Sequence, residues 1–123
     1  MTGLIPPSGA PFFRSTQLVT DDMLAQCARL TGERSPAPLG IGCVLALRAL
    51  CDWGGLPAAA IMRSYRATWY GEPAIGAHVT TIEVQTRGAS RTRYTPVTLK
   101  YATARDGQSV VEQQQDVLWP ITG

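Results

Sequence analysis

Few side chains in this chain are of a type and spacing that could do chemistry. Glu33 follows Gly32 at the end of an amphipathic stretch, Arg34 comes next, and Ser35 lies two residues on. A carboxylate in such a loop can act as a general base or activate water, and a serine hydroxyl there can orient a carbonyl or simply cap a turn. Gly40, Ile41 and Gly42 lead into an apolar run that Cys43 opens. The first N–H groups of a helix lack partners within it, so a glycine-rich start can admit a carbonyl oxygen and hold its developing negative charge. Cys43 falls in that first turn, where thiols can be activated, although packing is its plainer role. The single histidine, His78, alternates with Thr80, Ile82 and Val84 on one strand face and has no carboxylate partner nearby in sequence. It reads as a structural or surface residue. Cys27, Cys43 and Cys51 lie in apolar stretches without metal-ligand spacing, so they read as reduced packing residues and no metal site is expected. Tyr65, Trp69 and Tyr70 read as core and interface; Arg63 and Arg66 could attract phosphates, although solvated strand residues are the plainer reading.

The elements that must position these groups fit one domain of 123 residues, 45% hydrophobic and 16% charged. Residues 1–11, rich in proline and glycine, read as an extended N-terminal segment, and 12–123 as a single domain. Phe12–Val19 reads as a short strand. Thr20 can cap a helix that Asp21 and Asp22 begin and Gly32 stops, with Leu24, Cys27, Ala28 and Thr31 on one face. Cys43–Asp52 is apolar nearly all round, which predicts a helix buried on most sides. Four strands are expected at Met62–Tyr70, Ala77–Arg87, Thr92–Thr103 and Ser109–Trp119, in a meander whose last turn is Asp106-Gly107. The formal charge is +2, and among basic residues of the second half only Arg91 and Arg93 lie close together, both expected on one side of a strand. Nucleic acid is not an expected partner. The longest apolar run, broken by Arg48, is too short to span a bilayer, and residues 1–11 do not read as a signal peptide, so a cytoplasmic protein is expected.

Three stretches resemble the hotdog fold and, within it, the MaoC-like hydratase/dehydratase family. They are the helix and turn from Val19 to Glu33, the approach Pro38-Leu39-Gly40-Ile41-Gly42-Cys43-Val44-Leu45 to the central helix, and the strand, turn and strand from Tyr65 to Val79. The resemblance implies an α+β fold, an antiparallel sheet wrapped around a central buried helix. It implies a lyase-type subunit acting on an acyl thioester, carried by coenzyme A or a carrier protein, in fatty-acid, polyketide or related metabolism. No cofactor is implied, and the partner would be a second hotdog chain in a homodimer or heterodimer. Family hydratases carry the pattern Gly-Asp-x-Asn-Pro-x-His, whereas this chain reads Gly32-Glu33-Arg34-Ser35-Pro36-Ala37-Pro38. Pro38 stands where the family has its histidine and cannot move a proton. Glu33 and Ser35 remain as catalytic candidates, and Gly40, Ile41, Gly42 and Cys43 as substrate-binding ones. Two alternatives share the fold: a thioesterase using Glu33 to activate water, and a non-catalytic acyl- or ligand-binding module.

Overall fold

The computed structural model describes residues 4–34 and 38–121. Its elements are β1 (Pro11–Val19), α1 (Asp21–Thr31), α2 (Ile41–Trp53), β2 (Ile61–Trp69), β3 (Gly76–Arg87), β4 (Tyr94–Arg105) and β5 (Gln108–Pro120). α1 starts where its side chains dictate. The Thr20 hydroxyl accepts the Met23 N–H at 3.2 Å, Asp21 and Asp22 fill the first turn, and Gly32 closes the helix at φ 74.

The strands form one antiparallel sheet in the order β1-β3-β4-β5-β2. Only β3, β4 and β5 follow one another as a meander. β2 lies at the far edge beside β5, because its connection to β3 contains Pro73 and is no tight hairpin that could pair the two strands. Asp106 and Gly107, at φ 53 and 77, make the two-residue left-handed turn that sets Arg105 opposite Gln108. β4 begins at Tyr94, so Arg91 and Arg93 lie in the loop before it and not on a strand face.

α2 packs on one face of the sheet. Ala46, Ala49 and Leu50 meet Ile82, Val84, Val97, Leu99, Val117 and Trp119, and the helix start with Ile41 and Leu45 joins Val19, Leu24 and Cys27 in a second cluster. The far end is held by rings and one hydrogen bond. Trp53 lies 4.7 Å from Phe12 and 6.1 Å from Trp119, and the Ser15 hydroxyl donates to Asp52 Oδ2 at 2.7 Å. Gln17 on β1 donates to the Leu45 carbonyl at 2.9 Å.

The apolar composition of α2 predicts burial on most sides, and here the structure corrects the sequence. Ile41, Gly42, Leu45, Ala46, Ala49 and Leu50 are buried, but Cys43, Leu47 and Cys51 form an exposed stripe, with Leu47 54% exposed. One sheet covers one face of a helix, and α1 meets α2 only in the cluster around its first turns. Among the described residues no helix is long and apolar enough to cross a membrane.

Gly107→Ala would place a Cβ in the left-handed turn. It should lower the unfolding free energy by about 1–2 kcal/mol, read by urea denaturation, without altering the far-ultraviolet spectrum.

Candidate functional site

The start of α2 is built around Glu33. Its Oε1 accepts the Leu39 N–H at 3.2 Å and its Oε2 the Gly40 N–H at 3.3 Å, while the Thr31 hydroxyl lies 3.0 Å from Oε2. A carboxylate at the positive end of a helix satisfies donors that would otherwise be orphaned. The next three amides turn back on the chain: Ile41 N–H to Pro38 O at 3.3 Å, Gly42 N–H to Leu39 O at 3.1 Å and Cys43 N–H to Gly40 O at 3.2 Å. The amides expected to be free for a carbonyl are therefore engaged within the chain, and Glu33 acts as the helix cap. Pro38, in the place of the family histidine, is buried and gives its carbonyl to that same turn. Ser35 lies outside the described residues.

Both glycines are closely packed. A Cβ on Gly40 would meet Thr31 Cγ2 at 2.9 Å and Cys27 Sγ at 3.3 Å. One on Gly42 would meet Trp69 Cζ2 at 3.0 Å and Gln113 Oε1 at 3.3 Å, so any side chain there would force Trp69 or Gln113 to shift. Ile41 is core. Burial pushes the Cys27 thiol up, helped by Glu33 and then Cys43, which keeps it a protonated packing residue.

Among the described candidates, Cys43 lines a cavity. With Ala46, Leu47, Tyr65, Tyr101 and Gln115 it lines a pocket of about 300 Å³ between the exposed side of α2 and the sheet. Its walls are apolar. Its polar edge is the Tyr65 hydroxyl, which donates to Gln113 Oε1, and Gln113 is fully buried with its Nε2 unpartnered. Burial raises the Tyr65 phenol above its ordinary value, the Cys43 side chain adding to the shift through a hydrogen bond and its charge. Burial also pushes Tyr101 up to about 12. Tyr65, Tyr101 and Gln113 were missed as site residues in the sequence because alternating strand positions read as core. The signal available was a tyrosine and a glutamine at inward positions of neighbouring strands, where a polar group needs a partner.

No histidine or carboxylate lines this pocket. His78, readable as a surface residue, is 2% exposed, and its Nδ1 lies 3.0 Å from the Gly76 carbonyl. Among the described residues no three His, Cys, Asp or Glu side chains gather as metal ligands. The arrangement can hold an apolar chain and hydrogen-bond a polar group at one end, and its titratable groups among the described residues are the Cys43 thiol and the Tyr65 and Tyr101 phenols.

Glu33→Ala should uncap α2 and lower the unfolding free energy by about 1 kcal/mol in a denaturant melt. Alkaline titration should show a second effect. An unfolded phenol ionises at about 10, whereas Tyr101 stays neutral in the fold until about 12. The folded chain thus binds protons that the unfolded chain releases, so stability should fall as pH rises across that window, and less so in Tyr101→Phe.

No family model matches the chain, and no curated protein matches it in sequence. Solved structures do match in shape. The truncated HadBC (3R-hydroxyacyl-ACP dehydratase) complex of Mycobacterium tuberculosis is similar with a TM-score of 0.73 at 15% identity, over 86% of this chain and 93% of that one. The MaoC-like dehydratase of Rhodospirillum rubrum gives 0.69 at 18% identity, over 96% of each chain. The ChsH1–ChsH2 complex of Mycobacterium tuberculosis gives 0.71 at 12% identity, over 94% of this chain and 99% of that one. With its five-stranded antiparallel sheet packed on one central helix, the chain has the α+β hotdog fold.

Proposed function

We propose that this chain is a hotdog subunit of an acyl-thioester dehydratase or hydratase, which houses the acyl chain and takes its proton chemistry from a second hotdog chain. The observation that carries this reading is the pocket beside α2: apolar walls, hydrogen-bonding groups at one edge, and no histidine or carboxylate. Dehydration of a 3-hydroxyacyl thioester needs a base to remove the α-proton and an acid to protonate the departing hydroxyl. Glu33 is spent on capping α2, and Pro38 replaces the second group. The thioester would ride on coenzyme A or a carrier protein, and water addition or loss by proton transfer needs no cofactor.

A second chain has a surface to meet. β2 is an outer strand of the sheet and is exposed along nearly its whole length, with Ile61, Met62 and Tyr65 at the surface and Tyr65 beside Leu47 of α2. Such an edge, left open, pairs with other chains. Two of the similar structures, HadBC and ChsH1–ChsH2, are themselves complexes. The incomplete dyad favours a heterodimer over a homodimer. A cytoplasmic setting accords with the three free cysteines.

The test is turnover. Purified alone, the chain should neither hydrate enoyl thioesters nor dehydrate 3-hydroxyacyl thioesters at more than a trace rate. Mixed with a hotdog chain carrying Asp and His, it should form a complex whose rate or chain-length range exceeds the partner's own. Full turnover by the isolated chain would overturn the reading. Ala46→Leu, which fills the pocket, should shorten the longest acyl group accepted, whereas Gly42→Leu should destabilise the fold through Trp69. Light scattering should find the chain at least dimeric, and Leu47→Asp should shift it toward monomer.

A further inference from the structure

On the outer face of the sheet three arginines converge that lie far apart in sequence. Strand positions alternate, and Val97, Val117 and Trp119 face α2, so Pro96 and Leu118 face away from it. Over that outer floor lies a space of about 580 Å³, lined by Arg63, Arg91, Arg93 and Tyr94 together with Pro96 and Leu118. Arg63 reaches it because β2 carries a bulge. Met62 pairs with Val117 and Tyr65 with Gln115, which leaves Arg63 and Ser64 together opposite Asp116. Ser64 hydrogen-bonds Asp116, and Arg63 joins the outer pocket. Arg91 and Arg93 come from the loop before β4.

Among the described residues none of the three guanidinium groups makes a salt bridge or side-chain hydrogen bond, and no acidic side chain lines the pocket. Asp116, across the bulge, is engaged by the Ser64 and Thr98 hydroxyls and also feels the charges of Arg66 and Arg63. Three positive charges, with Asp116 partly offsetting only Arg63, stand beside a tyrosine, a proline and a leucine and make a space with an anionic and an apolar requirement together. Its volume is that of a small-molecule site. Phosphate oxygens match forked guanidinium donors, and a planar base matches the Tyr94–Pro96–Leu118 floor.

We infer that this outer pocket binds a nucleotide, its phosphates held by Arg63, Arg91 and Arg93. The nucleotide is either free or the nucleotide end of coenzyme A. The site lies on the face of the sheet opposite the acyl pocket and shares no residue with it, so either can fail without the other.

The experiment is calorimetric titration of the full chain with ADP, coenzyme A, adenosine and inorganic phosphate. ADP or coenzyme A should bind, adenosine and inorganic phosphate at least tenfold more weakly, and added salt should weaken binding. Coenzyme A alone binding identifies the coenzyme as ligand, and binding of both extends the site to nucleotides generally. Arg63→Gln and Arg93→Gln should each cost about tenfold or more with an unchanged circular dichroism spectrum. No binding of either nucleotide at millimolar concentration would overturn the inference. So would inorganic phosphate binding as tightly as ADP, or folded arginine variants binding like the parent chain.

Discussion

The close approach of α2 to the sheet at Gly42 is the constraint on which the rest depends. With Trp69 Cζ2 only 3.0 Å from where a Cβ would stand, anything larger than glycine would have to displace Trp69 for the first turn to lie as close to β2 and β5. That contact places the next residue, Cys43, over Tyr65, and one turn later Ala46 and Leu47 over the same hollow. It also buries the Gln113 amide beneath the helix start, where Tyr65 is its hydrogen-bond partner. The pocket and its polar edge are thus consequences of one helix-to-sheet distance.

A helix held this way leaves two debts. The turn that leads into it needs acceptors for the Leu39 and Gly40 amides, and Glu33 supplies them from the turn after α1. The helix's outward stripe of Cys43, Leu47 and Cys51 needs a cover, which one sheet cannot give. The first ties the most evident candidate carboxylate to two backbone amides, and the second leaves an apolar surface beside an open strand edge. Both point the same way, toward a protomer shaped to complete and be completed by another.

Local signals in the sequence located the elements to within about two residues. Thr20 with the two aspartates, Gly32, and Asp106-Gly107 each act through their own backbone and near neighbours, so their roles show without a fold. Strand order did not show, because β2 pairs with β5 across two intervening strands and nothing local in either strand says so. The same limit hid the site. Glu33 reads as a base until the N–H donors it accepts from are seen six and seven residues on, and Arg63 reads as solvated until a bulge brings it to Arg91 and Arg93. Helix burial was over-read because apolar composition does not distinguish a surface covered by the chain's own sheet from one left for another chain.

The central claim is that the hollow between α2 and β2 receives an acyl chain. The most direct measurement is the amide chemical-shift response of the isotope-labelled chain to a non-reactive alkyl thioether analogue of an acyl thioester. The perturbed residues should be Cys43, Ala46, Leu47, Tyr65 and Tyr101, with larger shifts as the alkyl chain lengthens to fill the pocket. Saturating ligand that left these five unmoved, or that moved a different region of the sheet, would contradict it.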